Sequence, residues 1–362
     1  MVLELSYIID IERIDFMDKL RFGVIGLRNF GRGAHIKGIE ANDNAELVAV
    51  CDVLADLAEQ TGKEHGVDFY TDYKELLKRD DIDAVTVATP DQVHEEITVA
   101  ALRAGKHVLC EKPMALSVEK CINMIKASKE SGKKLMVGQI SRYAPGFVLA
   151  KKLVEDGQIG ELYFVESEYA HDYSKLTDAT WRFDPKSPRE PVTGGGCHAV
   201  DLLRWIAGNP TETFSYSNHK VLKSWPVNDA TIAVLKFPND VIGKVYTSIG
   251  CRRNYTMRTV LYGTHGTIIV DNKTPWLSLY REKTGEDEFF YGKDSMTIEE
   301  KIPISIESHN VVSEIADFCR EVLGDLPITT DGVEAASTVA VCEAIVKSSQ
   351  SGNREIIKYN FA

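Results

Sequence analysis

The chain has 362 residues, of which 44% are hydrophobic, so it can bury a full core and its length favours two domains. Its 54 acidic residues outnumber its 42 basic residues and give a formal charge of −12, which argues against nucleic acid or anionic membranes as partners. The seven cysteines follow no C-x-x-C spacing, which indicates a reducing, cytoplasmic compartment rather than a disulfide framework or a structural metal site.

The first 16 residues, MVLELSYIIDIERIDF, lack the basic start and the cleavage site of a secretory signal. Met17 stands just ahead of the first strand pattern, so residues 1–16 are predicted to be a disordered leader or an extension before the native start. No apolar run approaches the roughly 20 residues that span a bilayer, so no membrane segment is predicted.

Residues 17–140 alternate short apolar runs with helical patterns, which is typical of parallel βαβ units. Helical patterns, one of them with Ser117 as its N-cap, separate the predicted strands RFGVIG, AELVAVCD, AVTVAT, HVLC and KLMVGQ. This half is predicted to be a doubly wound Rossmann domain.

The pattern changes over residues 141–362. A helix, APGFVLAKKLVEDG, is followed by strand patterns separated by turns, which favours a large, mostly antiparallel sheet. Two C-terminal helical patterns, 308–323 and 331–350, are expected to cover one face of this sheet. Apolar residues on the other face predict a homodimer or homotetramer. The predicted fold class is therefore α/β, with a Rossmann domain followed by an α/β domain.

The segment GVIGLRNFGRGAH contains an incomplete G-x-G-x-x-G fingerprint, in which Gly26 and Gly31 keep the first and third glycines and Arg28 replaces the second. The Arg28 guanidinium can itself bind phosphate. An ordinary glycine turn is the alternative for this loop taken alone. The amides predicted to face a pyrophosphate at the helix start belong to Leu27, Arg28, Asn29 and Phe30.

Asp52 ends the second predicted strand. A carboxylate at this position can accept the ribose hydroxyls of NAD and repel the extra phosphate of NADP. The alternative is a turn or helix cap. The loop and Asp52 together predict NAD as the cofactor.

Longer motifs give a more specific signal. The segment AVTVATPDQVHEEITVAALRAGKHVLCEKPMALS is followed in order by SRYAPGFVLAKKLVEDGQIGELYFVESEY, TWRFDP, GGGCHAVDLLRWIAG and SQSGN. This series resembles the signature of the Gfo/Idh/MocA family of NAD(P)-dependent oxidoreductases and covers essentially everything after Met17. The resemblance implies a Rossmann domain, a second domain whose sheet lines a sugar pocket and forms subunit contacts, and a sugar or polyol substrate.

The resemblance also implies roles for particular residues. Those beside the cofactor would be Thr89, Pro90 and His94, the turn near the nicotinamide would be Glu111, Lys112 and Pro113, and a pair from the second domain would be Trp181 and Arg182. Lys112 stands at the carboxyl end of a parallel strand, where its ammonium could donate to a substrate hydroxyl and stabilise an alkoxide. A surface lysine in a turn is the alternative for Lys112.

His198 is the acid/base that the resemblance implies, and its ordinary pKa of about 6.5 suits proton transfer near neutral pH. Asp201 is a candidate to orient His198, to contact substrate or to strengthen the start of its helix. His171 and His309 are candidates to reach the pocket, with loop and helix-cap roles as alternatives. Cys197 gives no nucleophile or metal signal.

One position departs from the family pattern. Many sugar dehydrogenases of the family carry an aspartate four residues before the histidine, where this chain has Gly194. Asp172 and Asp184 are the candidate substitutes. The leading prediction is NAD-dependent oxidation of a secondary hydroxyl of a sugar or polyol. The alternatives are an NAD-using glycosidase or isomerase without net redox change and a non-catalytic sugar sensor.

Overall fold

The computed structural model describes residues 19–176, 180–282 and 297–361 of the chain. The predicted leader, residues 1–16, lies outside the described residues. The fold contains a six-stranded parallel sheet and a nine-stranded, mostly antiparallel sheet, which confirms the predicted α/β class. Within the described residues, no helix is both long and apolar enough to cross a membrane.

The first sheet has the Rossmann strand order β3-β2-β1-β4-β5-β6, and all of its pairs are parallel. Its strands are β1 (Leu20–Ile25), β2 (Ala45–Cys51), β3 (Asp68–Tyr70), β4 (Ala84–Val87), β5 (His107–Glu111) and β6 (Leu135–Gly138). The sequence pattern did not predict β3, because this edge strand is short and mostly exposed. Parallel pairing places the carboxyl ends of all six strands at one edge, where such sheets bind ligands.

The helices of this half are α1 (Lys37–Glu40), α2 (Ala55–His65), α3 (Tyr73–Leu77), α4 (His94–Arg103) and α5 (Val118–Ser131). The helix predicted after the glycine loop opens as a π-helical turn, Gly31–Ile36, before α1 begins. The Ser117 hydroxyl accepts a hydrogen bond from the Lys120 amide, which confirms the predicted N-cap. Short 3₁₀ turns span Asp91–Val93 and Ile140–Tyr143.

The second half begins with α6 (Pro145–Glu155) and also contains α7 (Pro191–Gly194), α8 (Cys197–Ala207), α9 (Val311–Leu323) and α10 (Gly332–Ser351). Its strands are β7 (Leu162–Ala170), β8 (Glu212–Asn218), β9 (Ala230–Lys236), β10 (Ile242–Ser248), β11 (Thr256–Gly263), β12 (Gly266–Asp271), β13 (Trp276–Glu282), β14 (Thr297–Pro303) and β15 (Glu355–Ile356). They lie in the order β14-β13-β12-β11-β7-β10-β9-β8-β15, with one parallel pair, β7 and β10. Further 3₁₀ turns span Tyr173–Lys175 and Thr180–Phe183.

The two C-terminal helices pack on different sheets. Helix α10 lies against β8, as expected, but α9 packs on the Rossmann domain. The apolar stripe of α9 includes Phe318, whose ring centroid lies 6.0 Å from that of Phe22 in β1. The expectation that residues 308–323 cover the antiparallel sheet is therefore wrong. Because α9 crosses to the first domain, it carries His309 to the ligand-binding edge of the Rossmann sheet.

Candidate active site

The turn after β1 forms a cradle that only glycine permits. Gly26 has a φ of +93°, and a Cβ there would lie 2.6 Å from the Ala88 carbonyl oxygen. A Cβ on Gly31 would lie 1.8 Å from the Gly26 carbonyl oxygen. Both glycines are therefore required by close backbone packing, and the turn brings the start of the π-helical segment to the carboxyl edge of the sheet. This geometry suits a pyrophosphate.

Asp52 braces the same turn. Its Oδ2 accepts a hydrogen bond from the Leu27 amide at 2.9 Å, and its Oδ1 accepts one from the Leu54 amide at 3.0 Å. The Leu27 amide, predicted to face the pyrophosphate, is thus used within the protein, and the Leu27 side chain is buried. Carboxylate oxygens have further lone pairs, so this bracing role leaves Asp52 able to accept ribose hydroxyls. Arg28 and Asn29 are exposed at the loop surface, and Phe30 is half-buried.

The loop after β4 supplies a second observation that fits a bound cofactor. The Thr89 hydroxyl is buried and makes no hydrogen bond to any residue that the structure describes. It belongs to the loop that closes over Gly26, where a Cβ would lie 2.9 Å from the Thr89 nitrogen. Pro90 follows and is exposed. A buried hydroxyl without a partner normally has one in the functional state, so the Thr89 hydroxyl is available to a ligand.

His94 occupies a different position from the one expected. It is fully buried, with Nδ1 2.9 Å from the Pro113 carbonyl oxygen and Nε2 3.0 Å from the Thr89 carbonyl oxygen. Burial disfavours the charged ring, but Cys110, Asp91 and the Pro113 carbonyl outweigh it and raise the pKa of His94 to about 10. Both ring nitrogens are therefore committed to the backbone. His94 thus holds the Thr89 loop to the Lys112 turn, and its predicted contact with the cofactor is left without a free ring nitrogen.

Glu111 also holds in place the turn that carries Lys112. Its Oε1 lies 2.9 Å from His35 Nε2, and its Oε2 accepts a hydrogen bond from the Lys112 amide. Burial raises the pKa of Glu111, but the hydrogen bond and charge of His35 outweigh it, so the net shift is downward. The carboxylate thus faces the protein and fixes the turn that presents Lys112. The Lys112 ammonium makes no ion pair or hydrogen bond within the described parts of the chain.

His198 stands in the first turn of α8, almost fully buried, with Nδ1 2.9 Å from the Ser141 hydroxyl oxygen. The same hydroxyl donates weakly to the thioether of Met257, so the tautomer with hydrogen on Nδ1 satisfies both contacts. That tautomer leaves Nε2 as a proton acceptor. Burial, and then the charge of Lys112, hold the pKa of His198 well below its usual 6.5. The buried imidazole of His198 is therefore neutral, and the charge of Lys112 acts on it.

Aromatic and imidazole rings form a wall beside His198. Tyr169 stacks on His198 with their ring centroids 6.2 Å apart, and the ring centroids of His171 and Tyr255 are 4.9 Å apart. The ring centroid of His309 lies 5.9 Å from that of Tyr255 and 6.0 Å from that of His198. The structure thus brings His171 and His309 to the pocket, and it adds Tyr169 and Tyr255, which the sequence did not single out. Ring faces with hydroxyls at their edges suit a sugar or polyol ring.

Trp181 and Arg182 reach the site from the second half of the chain. Gln92, in the turn after β4, donates hydrogen bonds to the carbonyls of Trp181 and Ser187. The Arg182 guanidinium lies 4.6 Å from the centre of the Trp181 ring and 5.7 Å from that of Tyr173. The pair therefore lies against the turn that follows β4, and its contact with the cofactor stays a prediction.

Asp201 does not face the pocket. Its carboxylate accepts two hydrogen bonds from Arg142, at 2.8 and 2.7 Å, and a third from the Thr338 hydroxyl. It is completely buried, and Arg204 lies 3.7 Å away on the same helix. The expected substrate contact is therefore wrong, because every described partner of Asp201 is structural.

The space beside Gly194 is filled by the side chain of Arg189. A Cβ at this position would lie 2.5 Å from Cζ of Arg189, whose guanidinium fills the space and donates to the Gly194 carbonyl. Arg189 is in turn paired with the buried Asp91. The two candidate substitutes are used elsewhere: Asp172 accepts from the Ser174 amide and Arg252, and Asp184 from the Lys186 amide. Neither replaces the absent carboxylate.

Cys197 adjoins His198 but is inert. Its thiol is buried and donates weakly to the Gly194 carbonyl. Burial raises the pKa of this thiol to about 11, so the thiolate is not populated near neutral pH. Nucleophilic catalysis by Cys197 is therefore not supported.

A glycine cradle at the carboxyl edge of a Rossmann sheet, facing a lysine and a neutral histidine, defines an NAD-binding oxidoreductase. Residues 20–139 match the model of the oxidoreductase family with an NAD-binding Rossmann fold, and residues 147–269 match the Gfo/Idh/MocA C-terminal domain. The chain belongs to the Gfo/Idh/MocA family.

Several known proteins are similar over most of their length. The inositol 2-dehydrogenase/D-chiro-inositol 3-dehydrogenase of Halalkalibacterium halodurans is 33% identical over 66% of this chain and 68% of the relative. The inositol 2-dehydrogenase of Salmonella typhimurium is 24% identical over 94% of this chain and 97% of the relative. The structure of levoglucosan dehydrogenase in complex with NADH shares the fold, with a TM-score of 0.83 and 21% identity over 94% of this chain and 100% of that one.

Replacing Gly31 by alanine is expected to weaken NAD binding on the order of 10²-fold, because the new methyl group would push the helix start away from β1. A cofactor titration followed by fluorescence measures the change. Gly33→Ala is the matched control, since a Cβ at Gly33 meets nothing within 4 Å. Equal NAD affinity in the two variants would show that the cradle does not bind the cofactor.

Proposed function

We propose that the protein is an NAD-dependent dehydrogenase that oxidises a secondary hydroxyl of a sugar or polyol. The observation that carries this proposal is the contact between the Ser141 hydroxyl and Nδ1 of the buried His198, which leaves Nε2 as a proton acceptor within the field of Lys112. The inositol dehydrogenases among the relatives support the same substrate class. No specific observation favours a reaction without net redox change or a sensor role.

The residues that would hold NAD are those of the cradle and its neighbours. The turn from Gly26 to Gly31 would receive the pyrophosphate, the Thr89 hydroxyl would bind a cofactor oxygen, and Asp52 would accept the ribose hydroxyls. Asp52 would also repel the additional phosphate of NADP. When bound, NAD supplies the hydride acceptor.

Lys112 and His198 would have different roles at the reacting hydroxyl. The Lys112 ammonium would donate a hydrogen bond to the substrate oxygen and stabilise the negative charge that develops there. The proton of the hydroxyl would move to Nε2 of His198, and the hydrogen on the same carbon would leave with the electron pair of its C–H bond as the hydride that NAD would accept. Ser141 would hold the ring in the required tautomer through its contact with Nδ1. The wall formed by Tyr169, His171, Tyr255 and His309 would exclude water from the reacting carbon.

The test is the appearance of NADH absorbance when the purified protein is given NAD and a panel of inositols, hexoses and sugar acids. We expect turnover with NAD at higher kcat/KM than with NADP, and loss of turnover in Lys112→Met. Binding of the compounds without NADH formation from any of them would reject the dehydrogenase and leave a sensor. A parallel arm uses aryl glycosides, and release of their aglycone without net NADH would support the alternative chemistry instead.

We also propose a homodimer or homotetramer joined through the outer face of the nine-stranded sheet, and a cytoplasmic location. Four apolar side chains stand on that face with large exposed fractions: Tyr216 (66%), Val234 (55%), Ile242 (50%) and Ile232 (43%). A second copy of this chain would cover them. The seven cysteines are all free thiols, which supports a reducing compartment.

The assembly proposal predicts that light scattering at micromolar concentration detects a dimer or tetramer. Ile232→Lys combined with Val234→Glu should produce a monomer, because two desolvated charges would oppose the same interface. Val333→Glu, a partly exposed apolar residue on α10, serves as the control and should leave the mass unchanged. A monomeric wild type would reject the assembly.

A further inference from the structure

The buried carboxyl group of Glu314 has no role in the proposed mechanism. Glu314 lies in the first turn of α9 and is 0% exposed. No group in the described parts of the chain donates a hydrogen bond to either of its carboxyl oxygens. Its neighbours Val311 and Ile315 make the apolar contacts of this turn with Gly38 in α1. An ionised carboxylate without a donor is costly in such surroundings, so this carboxyl group needs another explanation.

Gly138, the last residue of β6, shows where the carboxyl group of Glu314 points. Apart from its sequence neighbours, the three atoms nearest to a Cβ on Gly138 would all be oxygens. They are Glu314 Oε1 at 3.4 Å, the Cys110 carbonyl oxygen at 3.6 Å and Glu111 Oε1 at 3.6 Å. Two carboxyl groups therefore face the same small space at the carboxyl end of β6. Three acceptor oxygens around one space need a donor among them.

The groups around Glu314 determine which carboxyl carries the proton. The ionisable groups that face Glu314 are Glu111 from β5, Asp317 from α9 itself and Tyr143 from the turn after β6. Burial, and then the charges of Glu111 and Asp317, raise the pKa of Glu314 well above its ordinary value. Burial likewise raises the pKa of Tyr143, so its phenol is uncharged. Burial acts on Glu111 too, but the contact with His35 lowers its pKa overall. The two carboxyl groups therefore hold one proton, with Glu314 as the protonated member.

Glu111 connects this proton to the active site. Its Oε2 accepts the hydrogen bond from the Lys112 amide, and its Oε1 lies 2.9 Å from His35 Nε2. His35 belongs to the π-helical segment that begins at Gly31 in the glycine cradle. A hydrogen bond from Glu314 would hold the Glu111 carboxylate in the orientation that serves both contacts. A negative charge on Glu314 would instead repel it.

We propose that Glu314 is a positioning residue, a neutral carboxylic acid that donates a hydrogen bond to Glu111 across Gly138, directly or through one water molecule. It thereby holds the turn that presents Lys112. The packing of α9 on the Rossmann domain brings this donor to the carboxyl edge of the sheet. The inference rests on the proposed dehydrogenase function only where turnover is measured.

Infrared spectroscopy detects the proton directly, because a protonated carboxyl group has a C=O stretching band separate from those of carboxylates. We expect the wild-type protein to show this band at neutral pH and Glu314→Gln to lack it. Glu321→Gln is the matched control, since Glu321 is the other buried glutamate of α9. Its carboxylate already accepts hydrogen bonds from the amide and the hydroxyl of Thr329, so this variant should keep the band of Glu314.

Glu314→Met removes the donor but keeps the length of the side chain. Because it also removes a buried polar group, its urea midpoint should equal or exceed that of the wild type. Hydrogen exchange of the Lys112 amide should nevertheless become about 10-fold faster, and kcat should fall by about 10-fold, the scale for loss of one hydrogen bond to a charged group. Glu314→Gln keeps a neutral donor and should restore both quantities.

Gly138→Ala tests the path of the hydrogen bond. Its methyl group would lie 3.4 to 3.6 Å from the surrounding oxygens, which are ordinary contact distances, so the strand should fold normally. The methyl group would also occupy the space between the two carboxyl groups. We therefore expect a shifted Glu314 band and faster exchange at the Lys112 amide, with no loss of the urea midpoint.

Two results would overturn the proposal. The first is a wild-type infrared spectrum without a band that depends on Glu314, which would mean that the carboxylate is ionised. The second is a Glu314→Met variant with wild-type exchange at Lys112 and wild-type kcat, which would make Glu314 purely structural. Spectra and exchange are recorded without substrate. A protein that forms no NADH with any compound would therefore reject the dehydrogenase function, while the band and the exchange rates would still decide the role of Glu314.

Discussion

Replacing His198 by alanine is expected to lower kcat for hydroxyl oxidation by about 10²- to 10⁴-fold, the usual contribution of a positioned proton-transfer group. The loss follows from geometry, because the imidazole of His198 is buried and neutral and its Nδ1 is already bonded to Ser141. NAD affinity should barely change, since the cradle around Gly26 lies on β1 and does not include α8. Steady-state kinetics with one identified substrate, together with an NAD titration, measure both effects.

His309→Ala is the matched comparison for this prediction. Its ring centroid lies 6.0 Å from that of His198 and its Nδ1 likewise contacts a serine hydroxyl, that of Ser308, but the proposed mechanism gives it a place in the wall and no proton to carry. Removal of His309 should therefore cost much less in kcat than removal of His198. Full activity in His198→Ala would show that the proton leaves by another route.

The pH dependence gives a second test of the same assignment. Oxidation needs the neutral form of His198, and burial with the Lys112 charge keeps its pKa well below 6.5. As the pH falls through 6.5, kcat/KM for oxidation should therefore show no limb from this group. Ser141→Ala acts through His198, so it should lower kcat with little change in KM. A limb centred near 6.5 in the wild type would contradict a buried, neutral base.

The Rossmann half was readable because its signals are local. Strand and helix patterns over 17–140 depend on periodicity, and the roles of Gly26 and Gly31 follow from backbone crowding, which the motif spacing encodes. Ser141 could have been found by the same rule that selected Lys112, since it stands just beyond β6 at the same edge of the sheet.

The errors arose where long-range packing decides the outcome. His94 and Asp201 are polar residues next to the site in sequence, but each is fully buried with its polar atoms bonded inside the protein. Likewise, the helical pattern of α9 indicates an apolar stripe without naming the sheet that it covers. At Gly194 the sequence showed that the family's aspartate is missing, but not that the Arg189 guanidinium fills the space beside it. Such pairings depend on side-chain positions that a single sequence does not specify.

Asp201→Ala is expected to destabilise the protein by about 3–5 kcal/mol, the cost of removing one partner from a buried ion pair. The carboxylate is completely buried and accepts two hydrogen bonds from Arg142, whose side chain is only 5% exposed. Its loss leaves the guanidinium of Arg142 and that of the nearby Arg204 with less compensation in a region that excludes water. Urea unfolding should show a lower midpoint at unchanged slope.

Three further measurements separate this structural role from substrate binding. Glu59→Ala, which removes an exposed ion pair with Lys63 on α2, should cost only about 0.3–0.5 kcal/mol. Arg142→Met combined with Asp201→Leu should be less destabilising than Asp201→Ala alone, because no charge is left unpaired. The folded fraction of Asp201→Ala should retain the wild-type KM, since Asp201 does not face the pocket. A raised KM with unchanged stability would instead show that Asp201 binds substrate. A carboxylate that binds only protein groups cannot alter substrate affinity without altering the fold.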